Sequence, residues 1–362
     1  MINILESIWS YYGLADYIRP IFIVVIALVF WNFQSVLYKL RLFAEAILYL
    51  IFCNDKSWKK DSNPKRFFEP VLKDDARKDS VTTKTIIFVR HGESTWNDTL
   101  NKGHHRSALN FVIWFIPNLI KAVLYELYMF VLGIQDSWFY DSPLSQLGIS
   151  QVDKLHVFLK KGLGLTTREK ELISIMCGDP DAPPSRLVSS SLRRAISTVA
   201  ICFQERMKRL PNETILVLPS LQEISRNPDT LSITPPYTPV TASWIERDSS
   251  ACAFQDVFTN RTDMSLHKGN KPINTNGLKR MKEFCKYVFS QRDTEAFIVG
   301  GHSIWFRAFF QNFLPHDEDH VAKKRKIVNA GAVGFTLMKV STPQGEKYMI
   351  DPKSVTVIYG GF

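Results

Sequence analysis

Cysteine is scarce in this 362-residue sequence. The five present (Cys53, Cys177, Cys202, Cys252, Cys285) are an odd count with no CxxC pair. That excludes a disulfide framework and a zinc ribbon, and fits a reducing compartment. Acidic residues are outnumbered, 35 against 45 Lys and Arg, which leaves a net charge of +10 and points to anionic partners. Phosphorylated substrates and an anionic membrane face both fit that balance. Nucleic acid does not, because the chain has no nucleic-acid fold motif and no aromatic–basic alternation. With 45% hydrophobic and 22% charged residues the chain is neither disordered nor collagen-like, and its length allows one large domain or two ordinary ones.

Charge is missing altogether between Pro20 and Tyr38, and Ile21 to Trp31 (IFIVVIALVFW) is continuously apolar. Nineteen helical residues rise about 28 Å, close to the roughly 30 Å of bilayer hydrocarbon. A single transmembrane helix over 20–38 is therefore expected, within a membrane anchor of residues 1–54. No small-residue cleavage site follows it, which speaks against a signal peptide; a buried core helix is the competing reading. Leu42 to Cys53 is apolar again but short and carries Glu45, which suits an interfacial or continuing helix. Residues 55–80 read as a polar linker. Lys39, Arg41, Lys56, Lys59, Lys60, Lys65 and Arg66 follow the span and Arg19 alone precedes it, so the bulk of a single-pass chain is expected in the cytoplasm.

Thr85 to Val89 (TIIFV) is a strand-like run that ends in Arg90-His91-Gly92-Glu93-Ser94. Ligands of open α/β sheets bind at the C-terminal edge of the strands, where this histidine would sit. Alone, it could equally be a core histidine satisfied by backbone. Two further segments weigh against that. Leu187 to Thr198 (LVSSSLRRAIST) and Ala296 to Ser303 (AFIVGGHS) are also apolar strands, ending in Arg194 and in His302. Three strands thus end in phosphate-compatible groups.

Taken together, RHGESTWN (90–97), DSPLSQLGISQ (141–151), SSSLRRAIST (189–198), LQEI (221–224), GHS (301–303) and VNAGAVGFTL (328–337) resemble the histidine phosphatase superfamily, also called phosphoglycerate mutase-like. The resemblance covers residues 81–362. It implies a three-layer α/β/α sandwich with a mostly parallel central sheet, here preceded by the transmembrane helix. It also implies a phosphohistidine mechanism with no metal and no cofactor.

His91 would attack phosphorus through one neutral ring nitrogen while a carbonyl holds the other. Arg90 and Arg194 would grip the equatorial oxygens with planar forks that lysine cannot copy. A protonated His302 would add a donor, Asn97 and Ser303 further ones, and Gly92 and Gly301 would let backbone approach the phosphate. Glu223 matches the general acid of the family, with Glu93 as rival. The family usually continues there with a glycine and an aromatic; this chain has Ile224-Ser225-Arg226-Asn227-Pro228 instead.

An insertion, residues 98–140, replaces the tryptophan-containing stretch that family mutases carry, which favours hydrolysis over phosphoryl retention. Its run from Phe111 to Ile134 is mostly apolar, with Asn118, Lys121, Tyr125 and Tyr128 on one polar face. A single crossing there would separate His91 from Arg194 across the bilayer, so a hairpin at Pro117, an interfacial helix near the pocket mouth, or a helix packed on the domain or the N-terminal segment is expected. The basic residues around Asn276 to Phe289, with Lys271 upstream, read as a solvated face, and Lys323 to Lys326 as a headgroup contact or plain loop. The expected function is a membrane-anchored phosphohydrolase acting on a phosphomonoester carried by a small molecule, lipid or protein. A catalytically weak membrane-bound scaffold is the alternative from another class.

Overall fold

The computed structural model describes residues 30–57, 81–103, 106–246, 255–342 and 345–362, with isolated helical positions at 20, 23, 24 and 27. Most of the expected span upstream of Phe30, and the linker beyond Ser57, lie outside the described residues. Helix α1 (Phe33–Phe52) runs unbroken through the segment from Leu42, so that segment continues an existing helix. Strand β1 (Val81–Arg90) follows, then α2 (Thr95–Leu100), α3 (Ala108–Val131), α4 (Gln146–Lys161) and α5 (Thr167–Cys177). The chain continues as β2 (Ser185–Ser190), α6 (Arg193–Cys202), α7 (Gln204–Arg209), β3 (Ile215–Leu218), α8 (Gln255–Asn260) and β4 (Thr262–Asp263). It closes with α9 (Gly277–Ser290), β5 (Ala296–Gly301), α10 (Ser303–Phe313), α11 (Val321–Lys324), β6 (Ala332–Thr342), β7 (Gly345–Ile350) and β8 (Thr356–Tyr359).

The strands form one sheet in the order β4-β3-β2-β5-β1-β6-β7, with β8 also pairing β6. Pairing from β4 through to β1 is parallel, and β6 turns the remainder antiparallel. Alternation along the strands explains why helices cover both faces. In β1, Ile87 and Val89 join the core under α4, α5 and α6, while Ile86 and Phe88 point to the opposite core under α9 and α10. In β5, Ile298 takes the first side, and Phe297 and Val299 the second. This is the expected three-layer α/β/α arrangement with a mostly parallel sheet. Phe88 stacks on Phe306 at 4.1 Å between centroids and meets Trp305 and Phe309 edge-on, which fixes the start of α10 above the sheet.

Helix α3 departs from one expectation. It passes through Pro117 without turning back, so there is no hairpin: the lost N–H costs about 3 kcal/mol, and the rest of a 24-residue helix absorbs it. Ser107 caps its first turn by accepting from the Asn110 N–H at 3.1 Å. Ala122 and Met129 are buried against Trp138, while Leu109, Val112, Ile113, Trp114 and Ile116 are more than half exposed. Both ends are tied to one domain. Arg106 ion-pairs with Asp98 ahead of the helix, and Glu126 accepts from the Trp138 N–H at 2.7 Å behind it. Helix α1 joins it there: the Asn32 amide donates to the Val131 carbonyl at 2.6 Å, and Lys39 pairs with Glu126 at 2.5 Å.

Candidate active site

Register brings the predicted strand ends together. Arg90 lies opposite Gly301, and Ser189 opposite Gly300, so β1, β5 and β2 finish side by side. The His91 N–H continues the ladder to the Gly301 carbonyl at 3.0 Å. Such close packing requires glycine at two levels. A Cβ on Gly300 would overlap Val199 of α6, and one on Gly92 would overlap the Gly148 carbonyl. Gly92 is off the cavity wall, and a Cβ on Gly301 would meet the Phe306 ring at 2.8 Å. These glycines therefore allow close packing of backbone and ring.

Above the strand ends opens a cavity of about 490 Å³, lined by Arg90, His91, Glu93, Asn97, Arg194, Glu223 and Ser303 among others. These seven are among the ten residues singled out from sequence; of the other three, Gly92 and Gly301 do not line the cavity, and His302 is fully buried with its ring 5.1 Å from that of His91 between centroids. The Nδ1 of His91 lies 2.5 Å from the Gly92 carbonyl, a contact that only an N–H can make. Its proton is thereby assigned to Nδ1, and the lone pair to Nε2. Burial, then Arg194 and Arg90, hold His91 well below the usual imidazole range, so it is neutral.

Burial and the cations around it also hold His302 well below that range. Arg194, Lys271 and Arg90 oppose a further positive charge, so the protonated form expected from sequence would need the negative charge of a phosphoryl group beside it. His302 Nε2 contacts the Ser190 hydroxyl at 2.8 Å, and its buried Nδ1 has no partner among the described residues. The Nε groups of Arg90 and Arg194 are likewise buried without partners. Unsatisfied buried donors are costly, and both arginines line the cavity, where an anion would offset that cost. Burial lowers Arg90 to about 10, while its Nη1 donates to the Ile327 carbonyl at 2.7 Å. Arg194 Nη1 donates to the Asp229 carbonyl at 2.5 Å, and Nη2 pairs with the Asp229 carboxylate at 3.3 Å.

Besides Asp229, which is paired with Arg194, two carboxylates line the cavity. Glu223 sits at the start of α10, where Oε1 accepts from the Trp305 N–H at 2.8 Å and Oε2 from Ile304 at 3.1 Å. Glu93 accepts from the Ser145 hydroxyl at 3.2 Å, and burial, then Asp98, raise it to about 6. Asn97 lines the wall, with its Oδ1 accepting from Asn101 at 2.6 Å.

Some site residues escaped sequence reading. Lys326 of the basic KKRK cluster lines the cavity, as do Asn329, Gln151 and Asp229. Its place directly before the VNAGAV segment was the available signal. Lys271 and Arg280, read as a solvated face, are buried and clamp the loop behind Glu223. Lys271 Nζ donates to the carbonyls of Glu223 at 2.5 Å and Ser225 at 2.6 Å, and Arg280 donates to that of Gln222. Their shared counter-ion is Asp55, which sequence reading placed at the head of a polar linker.

No family model matches the chain, and no curated protein does. Among solved structures it is similar to a mycobacterial hydrolase (16% identity, TM-score 0.34, covering 74% of this chain and 97% of that one). It is also similar to the mycobacterial glucosyl-3-phosphoglycerate phosphatase (14%, TM-score 0.35, covering 75% and 98%). A third is the phosphoserine phosphatase of Entamoeba histolytica (12%, TM-score 0.31, covering 74% and 96%). At these identities and TM-scores the reading of the site rests on its own residues.

Proposed function

We propose that this chain is a membrane-attached phosphohydrolase of the histidine phosphatase type, which removes a phosphoryl group from a phosphomonoester through phosphohistidine at His91. The observation that carries this is the fixed tautomer of a neutral His91, with its free Nε2 beside two guanidiniums that have unsatisfied N–H groups. Nε2 attacks phosphorus in line, the bond from phosphorus to the leaving oxygen breaks, and a carboxylic acid protonates that oxygen. Water then attacks phosphorus, the carboxylate takes its proton, and the P–N bond opens. Arg90 and Arg194 neutralise the equatorial oxygens in both steps without help from a metal. Glu223 is the proposed acid, and Asn97 and Ser303 are proposed donors to the phosphoryl group. Glu93 is the second candidate acid, because its burial raises it to about 6, a value suited to proton donation. The expected anchor over 20–38 and the exposed apolar face of α3 support attachment to a membrane.

The test is acid-labile radiolabel trapped from a phosphomonoester. Label on wild type that is absent from His91→Ala supports the enzyme. Absence of label and turnover from both would leave the scaffold reading. Phosphoglycerate interconversion, the mark of a mutase, is expected to be absent.

A further inference from the structure

Two helices expose apolar faces, and each is fastened to a wall of the cavity. On one side the wall passes through Asn101 and Gly103, and α3 starts five residues later, its head held by Arg106, which lies 3.8 Å from the Glu93 carboxylate. Ile113 and Trp114, 56% and 58% exposed, stand in the first turns beyond that rim. On the other side the wall is Asn227, Asp229 and Thr230, and α1 packs directly against the turn Pro228–Thr230. Leu42 and Tyr49 of α1 cluster there with buried Leu231, while Leu40 and Phe43 face outward at 57% and 64% exposure. The helices meet at the Asn32–Val131 hydrogen bond, where the continuously apolar run Ile21 to Trp31 ends in the sequence. Exposed Lys102 and Arg226 each stand between two lining residues at the rim. An apolar surround with a cationic rim matches an anionic lipid–water boundary.

We infer that the phosphomonoester admitted here is the headgroup of a bilayer lipid, taken while its acyl chains stay in the membrane. This rests on the phosphohydrolase reading and deepens it by naming the substrate class. Both ends of α3 return to the domain, so the helix lies along the boundary and holds the mouth at headgroup depth. A soluble phosphate ester would gain nothing from that placement; a lipid is delivered by lateral diffusion and oriented with its phosphate outward.

The experiment compares four substrates, two soluble and two lipid, for the full chain reconstituted on phosphatidylcholine vesicles. They are soluble p-nitrophenyl phosphate, soluble glycerol phosphate, and vesicles doped with phosphatidate or with a monophosphorylated inositol lipid. At least one lipid is expected to exceed glycerol phosphate in kcat/KM by about tenfold or more. Ile113→Glu with Trp114→Glu is expected to remove that advantage and leave p-nitrophenyl phosphate turnover unchanged. Wild-type turnover of p-nitrophenyl phosphate with no preference for either lipid overturns the inference alone. A preference that survives the double substitution also overturns it, as does a double variant that changes only the oligomeric state, which would make this face a contact between copies. No turnover of any substrate overturns the phosphohydrolase reading together with it.

Discussion

Asp55 and Lys271, 216 residues apart in sequence, form a salt bridge of 2.7 Å in which both side chains are 1% exposed. The same carboxylate pairs with Arg280 at 2.6 Å and accepts from the Ser225 N–H at 3.1 Å. A residue just beyond α1 thus supplies a carboxylate to two buried cations that grip the Glu223 loop. Asp55→Asn should destabilise the protein by about 3 kcal/mol, since breaking a buried pair strands a charge. Urea denaturation would show this. A double-mutant cycle with Lys271→Met should return a coupling of at least about 1 kcal/mol. Additive effects would mean that the pair is not coupled.

The two candidate acids can be separated by leaving group. Glu223→Gln should lower kcat by about a hundredfold or more on an alkyl phosphate, within the usual range for a lost general acid. The loss should shrink on p-nitrophenyl phosphate, whose phenolate departs without a proton. Glu93→Gln should leave that dependence on leaving group intact. A reversed pattern between the two variants would move the acid role to Glu93.

Protonation of the buried histidines should set part of the acid sensitivity. His91 and His302 are held well below the ordinary 6.5, so as pH falls through about 6.5 the unfolded chain binds protons that the folded chain refuses. Stability must then fall with falling pH. Glu93 and Asp229, each raised to about 6 from 4.5 and 3.8, act in the opposite sense between those values and about 6. His302→Asn removes one histidine contribution and should flatten the decline just below pH 6.5. Thermal melts across that window would check it, and an unchanged slope would count against a neutral His302.

Gly300 should tolerate no side chain while Val199 is present. Gly300→Ala drives a methyl into Val199 Cγ2 and should cost about 1–3 kcal/mol through overpacking. Val199→Ala in the same chain should recover much of that loss, because it removes the overlapping atom. If the double variant is no more stable than Gly300→Ala, the close approach to α6 is not the cause.

Legibility followed the range of the interactions. The alternation of Ile86, Ile87, Phe88 and Val89 and the run before His302 are local patterns, so the strands and their two-sided burial could be read without coordinates. Arg90, His91 and Arg194 stood out because their residue types at strand ends suit phosphate, whereas Glu223 was picked out only by the family resemblance. Lys271 and Arg280 were misread because charge in a helix-rich segment ordinarily faces water, and nothing nearby in sequence pairs with them. Their partner lies more than two hundred residues upstream, at Asp55.

By itself the sequence determined the strand-like runs, the candidate phosphate-binding residue types and the apolar helical segments, because patterning and side-chain chemistry are local properties; the layered fold followed from the family resemblance. Tertiary structure alone decided three things. The first is the downward shift of His91 and His302, which comes from burial beside Arg90 and Arg194. The second is the continuous path of α3 through Pro117, in a helix tied to the domain at both its ends. The third is the placement of the two apolar helices beside segments that line one cavity. Each is set by groups brought together from distant parts of the chain, and no window of sequence contains them.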